Sequence, residues 1–139
     1  MRTGLQIIYL YHDADIVELE VGISNGRFSG SANLYVATGE LAEIADLLAD
    51  FPANSADTRD YTLGTFEPGG AGGAIRLNFY LRDLAGHASL RAFVKDDHPT
   101  SGHTQRGEIV LDIELAAFDH FVSDLRRIEE EQGSAYLFA

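Results

Sequence analysis

The sequence predicts an α+β protein of two layers, an antiparallel sheet of about six or seven strands carrying two amphipathic helices on one face. Two patterns lead there. In TGELAEIADLLADFP the apolar residues Leu41, Ile44, Ala45, Leu48 and Phe51 fall at i, i+3, i+4, i+7 and i+10. In AAFDHFVSDLRRIEEEQG the residues Phe118, Phe121, Val122, Leu125 and Ile128 repeat that spacing. Each set marks one helical face. Almost everywhere else the apolar residues alternate with polar ones, the period of a half-buried strand.

Taken in order, MRTGLQIIYLYHDAD reads as a first strand rather than a signal peptide, because His12 and Asp13 break its short apolar run and no small-residue cleavage site follows. VELEVGI places Val17, Leu19, Val21 and Ile23 inward with Glu18 and Glu20 outward. Asn25-Gly26 then predicts a type I′ hairpin turn. FSGSANLYV returns with Phe28, Ala32, Leu34 and Val36 inward, and Gly30 marks a bulge or a close backbone approach. Thr38 is the expected cap of the first helix and Pro52 its stop. YTLGTF, AIRLNFYL, ASLRAFV and EIVLDIEL read as four more strands, with a turn near Asp83 to Gly86. Gly133 is the expected C-cap of the second helix, and AYLFA a short last strand. The segment from Gly30 (Leu34, Val36, helix) resembles that from Gly107 (Leu111, Ile113, helix), which suggests internal duplication. The stretch from Ala53 to Thr58 and GGAGG at 69–73 read as flexible connections, too short to divide the 139 residues into more than one domain.

Composition narrows function. The chain has 22 acidic residues against 10 Lys plus Arg, a formal charge of -12 that repels phosphate backbones and anionic lipid. Neither nucleic acid nor membrane is therefore an expected partner, whereas a basic protein is. With no cysteine, thiolate chemistry is unavailable. No apolar run approaches the ~18 residues of a membrane span, so a soluble, cytoplasmic protein is expected.

Each motif that could carry chemistry has a plainer reading. GGAGG runs into a strand without lysine, unlike a phosphate loop. DDHPTSGHTQRG, with Asp96, Asp97, His98 and His103, could offer carboxylates and imidazoles to a metal, but reads as a loop between strands, and no metal or other cofactor is expected. Gly-x-Ser-x-Gly is absent, and His12, His87 and His120 are scattered. Carboxylates spaced i, i+2 (Glu18 and Glu20; Asp112 and Glu114) share an outward face, where a solvated polar surface is expected rather than acid–base catalysis.

That outward face is the expected site. It combines Glu18, Glu20 and Arg27 with Arg76, Tyr80, Arg82, Arg91, Glu108, Asp112 and Glu114. Opposite charges there would form a cross-strand ladder, while Tyr and Arg are residues that interfaces favour. The acid-rich end of the second helix, Glu129, Glu130 and Glu131, is a further docking candidate.

The order of NGRFSG, LAEIADLLADF, GGAIRLNFYLRDLAGHASL and AFDHFVSDLRRI resembles the small acidic immunity proteins of the WapI-like family. The shared pieces are Phe28-x-Gly30, the Leu-rich helix after it, Gly86-His87 opening a strand, and the amphipathic last helix, together spanning about 17 to 128. The resemblance implies a bacterial toxin inhibitor that binds without catalysing, its partner a basic toxin domain. The chain also resembles uncharacterised small bacterial proteins. Two rival expectations are a structural or regulatory binding module, which sheet-edge pairing would make a homodimer, and a metal-dependent hydrolase using the Asp96–His103 loop.

Overall fold

The chain opens with three antiparallel strands, β1 (Gly4–His12), β2 (Ile16–Ser24) and β3 (Ser29–Ala37), then α1 (Glu40–Leu48) and β4 (Thr58–Gly64). Its second half repeats the series with β5 (Ala74–Leu81), β6 (Ala88–Asp97), β7 (Thr104–Ile113), α2 (Leu115–Glu131) and β8 (Ser134–Phe138). The computed structural model describes residues 2–97 and 102–139.

The α+β class holds, but the layout is two four-stranded antiparallel sheets, β3-β2-β1-β8 and β4-β5-β6-β7. A single sheet of six or seven strands is thereby corrected to eight strands in two sheets. The reason is quantity of apolar surface. The alternating stripes of both sheets are buried, Leu19 and Leu34 in one and Leu77 and Leu90 in the other, more than two short helices could cover. The stripes and both helices instead share one continuous core. At its centre Phe118 lies 5.4 Å, ring to ring, from both Phe51 and Phe79. Each such side chain contributes roughly 1.5–3 kcal/mol by leaving water.

The two halves are built alike. Each is three strands, a helix and a final strand, and each lends that strand to the other half's sheet: β4 pairs β5, and β8 pairs β1. Register repeats as well. Val17↔Val36 and Leu19↔Leu34 correspond to Ala88↔Ile113 and Leu90↔Leu111. Leu5↔Leu137 corresponds to Ile75↔Leu63. The short Gly30/Gly107 likeness in the sequence belongs to this longer correspondence.

Several local expectations change. The β2–β3 turn has positive φ at Gly26 but not at Asn25 or Arg27, so it is not the expected type I′, which needs positive φ at both central residues. Asn25 Oδ1 instead accepts from the Arg27 and Phe28 N–H groups, each at 2.9 Å. Gly30 keeps regular pairing with Ile23, so it is a close approach and not a bulge; a Cβ there would stand 3.1 Å from Val94 Cγ1. Phe28 does not reach the core and is 70% exposed.

Thr38 does not cap α1. Its hydroxyl donates to the Ala14 carbonyl, while Glu40 Oε1 accepts from the Ala37 N–H at 3.0 Å. At the other end α1 stops at Leu48 before Pro52, and the Arg59 guanidinium donates to the Leu47 and Ala49 carbonyls (2.7 and 2.9 Å). Gln132, not Gly133, takes the left-handed C-cap conformation of α2.

The two connections expected to be flexible are pinned. Asp57 accepts from the Ala53 N–H and both arms of Arg59, and that guanidinium holds its carboxyl below the usual aspartate range. Gly73 donates to the Asn33 carbonyl at 2.8 Å, tying the start of β5 to β3. Asp96 and Asp97 belong to β6 and Thr104 to Gly107 to β7, so both ends of DDHPTSGHTQRG are strand. No helix among the described residues is long and apolar enough to cross a membrane.

Candidate protein-binding surface

Two sheets mean two outer faces, and the residues expected on one face divide between them. Arg76, Tyr80 and Asp112 lie on the second sheet. Cross-strand rows there run Thr62–Arg76–Phe93–Glu108, Asp60–Asn78–Arg91–Val110 and Thr58–Tyr80–Ser89–Asp112. The charge ladder forms on this sheet: Arg76 with Asp60 at 2.8 Å, Arg82 with Asp112 at 3.2 Å and Arg91 with Glu108 at 3.3 Å. Arg76 also lies over the Phe93 ring and Arg91 over Tyr80. The Arg76 hydrogen bonds hold the Asp60 carboxyl below its ordinary range. Such exposed pairs add little to stability, yet they leave this face largely self-satisfied in charge.

Glu18 and Glu20 stand on the first sheet, and their surroundings differ. Arg27 sits in the hairpin turn rather than opposite them. Glu18 lies in register between Tyr11 of β1 and Tyr35 of β3, and Glu20 between Ile8 and Asn33. Neither carboxylate has a cationic partner among the described residues. Around them Leu10, Tyr11, Ile16 and Tyr35 are exposed, Tyr11 by 61%. Exposed aromatics beside unpaired carboxylates make a surface with apolar area to bury and charge to match.

The sequence could have yielded Tyr35, which sits in an outward position of FSGSANLYV. It concealed Tyr11, because a β-bulge between Tyr9 and Tyr11 breaks the alternation and turns Tyr11 toward the outer face.

The remaining candidates separate further. Glu114 is not on the strand face. It precedes α2 as N-cap residue without a side-chain cap, and its N–H reaches the Phe138 carbonyl at 3.4 Å. Glu129 has a structural partner: its carboxylate oxygens accept from the Gly39 N–H at 3.0 and 3.1 Å, where α1 begins. Glu130 and Glu131 stay exposed at the negative end of α2.

Sequence reasoning gave no place to Lys95, the chain's one lysine. It is 3% exposed although it lies on the outer side of β6, because the β4–β5 loop covers it and accepts from its Nζ at the Thr65 carbonyl (3.1 Å). Asp97 accepts from the Thr104 hydroxyl at 3.1 Å. His98 lies outside the described residues, and among those described no three His, Asp or Glu side chains gather as a metal site. His87 is held by Asp83 at 2.7 Å, and His120 sits 3.3 Å from Asp124. No family model, curated protein or solved structure matches this chain.

Proposed function

We propose that this chain is a non-enzymatic binding protein that captures a basic protein domain on the outer face of its first sheet. The observation that carries the reading is Glu18, bracketed by Tyr11 and Tyr35, with Glu20 beside it and no cation among the described residues to neutralise either. A partner's Lys or Arg would supply the missing charge, and the two tyrosines would bury around it. The formal charge of -12 would steer a cationic domain toward any face, and the unpaired pair would fix where it docks. The second sheet is the weaker candidate, since Arg76, Arg82 and Arg91 there are already matched by Asp60, Asp112 and Glu108.

A toxin-neutralising immunity protein of the cytoplasm, the role implied by the WapI-like resemblance, is the form of this function that we favour. The test is co-expression with the large open reading frame beside this gene, or with its C-terminal domain, in a sensitive host, scoring growth and recovering the complex. Rescue with a stoichiometric complex is expected, and Glu18→Lys with Glu20→Lys should abolish both. Toxicity without rescue, or a complex indifferent to that pair and to Tyr35→Ala, would sink the reading.

A further inference from the structure

A second feature lies where the two halves meet. β3 and β7 are corresponding strands, each at one edge of its sheet. Alternate residues of an edge strand turn both backbone groups away from the sheet. On β7 these are the even-numbered positions, since the Val110 carbonyl accepts from Asn25 Nδ2 (3.1 Å) and the Glu114 N–H reaches Phe138. On β3 they are the odd-numbered positions, since the Asn33 carbonyl accepts from Gly73. Asn33 and Val110 are themselves corresponding positions, so each edge is closed at the same place by a group from elsewhere in the chain. Just before that closure both edges stand open. Arg106 and Glu108 on β7, like Ser29 and Ser31 on β3, have no outward backbone partner among the described residues.

These two open edges flank a cleft of about 380 Å³. Its apolar floor is Val94 and Ile109, one wall is the exposed Phe28 ring, and Gly30 and Gly107 leave space over the floor. We propose that this cleft takes an extended peptide segment, which adds to the β7 edge as a further strand and lays a small apolar side chain on Val94 and Ile109. Only a polypeptide backbone presents donors and acceptors at the spacing that Arg106 and Glu108 offer. At the mouth Glu108 is already met by Arg91, so Asp96 stands against Arg106 and the cleft sets no net charge beside the anchor. The outward charges of Arg106 and Glu108 guard the edge against indiscriminate pairing without blocking its backbone. This site shares no residue with the Glu18–Glu20 face.

The probe is a phage-displayed library of random linear peptides, panned against the intact chain, with the best binder then synthesised. Glu108→Pro removes one outward N–H that the fold does not use. Gly107→Val fills the floor, with a Cβ that meets nothing nearer than Val94 at 3.9 Å. The expected result is a binder that slows amide exchange at Arg106 and Glu108 and loses affinity when N-methylated at alternate residues only. Both variants should melt cooperatively and bind about tenfold or more weakly, while Glu18→Lys/Glu20→Lys binds it unchanged. No enrichment over an unrelated acidic protein, or a binder unaffected by both variants, overturns the proposal.

Discussion

Gly73→Ala should be among the most damaging single-methyl changes this chain can suffer, although GGAGG looks like the most tolerant part of the sequence. A Cβ at Gly73 would stand 2.4 Å from the Lys95 carbonyl oxygen, 2.9 Å from Ala32 Cβ and 3.1 Å from the Asn33 carbonyl oxygen. Two of those neighbours are backbone of regular strands and cannot swing away. The start of β5 must therefore move by roughly an ångström, and the 2.8 Å bond from the Gly73 N–H to Asn33 is lost with it. Overpacking of that kind costs about 1–3 kcal/mol, and a broken buried hydrogen bond adds about 1–3. The sum, about 2–6 kcal/mol, is a large share of the 5–15 kcal/mol typical of a domain. Urea titration followed by circular dichroism measures it, with two controls. Gly133→Ala meets no atom within 4 Å and does not need positive φ, so it should be neutral or slightly stabilising. Gly69→Ala is equally uncrowded but has φ +81, so it isolates the conformational penalty, about 1–2 kcal/mol. If Gly73→Ala unfolds within about 0.5 kcal/mol of the parent chain, the clasp between β3 and β5 is not holding the sheets and the steric reasoning fails.

Other outcomes follow from the same geometry. Lys95→Met should leave the melting temperature unchanged or higher, because a buried cation hydrogen-bonded to one carbonyl is exchanged for an apolar chain of similar length; a loss of more than about 2 kcal/mol would show that the charge itself is needed. Glu129→Ala should cost about 1 kcal/mol by freeing the Gly39 N–H at the start of α1, whereas Glu130→Ala and Glu131→Ala, at the negative end of α2, should be neutral or mildly stabilising. The Asp57, Asp60 and Asp83 carboxyls are held low by Arg59, Arg76 and His87 respectively. Their contribution is complete above the unfolded aspartate value of about 3.9 and disappears as pH falls through the lower folded values, so thermal stability should be level near pH 6 and decline below about pH 4. Asp57→Asn should flatten that acid limb, and an unchanged limb would remove Asp57 from the account.

Local signals in the sequence carried the element types and the inward residues. The second helical stripe, the first as far as Leu48, the inward stripe of β2 and every inward residue assigned to β5 fall where the periodicity puts them, while Phe51 is buried beyond the end of α1. Pairing was not legible, because a strand's alternation says which side is apolar and not which edge it meets. β1 joins β8 across nearly the whole chain, and no short-range pattern encodes that. The candidate site suffered from the same gap. Glu18, Glu20, Arg76 and Asp112 were each rightly turned outward, but with one sheet assumed they were placed together. The cap of α1 failed for a related reason, since Glu129 reaches it from the other helix.

Comparing the two halves shows where packing stops dictating the residue. Corresponding inward positions hold side chains of one kind: Leu5 with Ile75, Leu19 with Leu90, Leu34 with Leu111, Leu48 with Leu125. Corresponding outward positions do not. Glu20 answers to Arg91, Gln6 to Arg76, and Tyr35 to Asp112. If solubility alone governed the outer faces, both could carry the same mixture of paired charges. Instead Arg76, Arg82 and Arg91 of the second sheet meet carboxylates within it, whereas the first sheet displays Glu18 between two tyrosines, with Glu20 beside it and no cationic partner for either among the described residues. An unmatched charge flanked by exposed aromatics brings no folding benefit to an isolated chain. It lowers free energy when a second molecule brings the opposite charge and covers the rings, which is why the Glu18–Glu20 face, rather than the better-furnished arginine face, is where a partner is expected to dock.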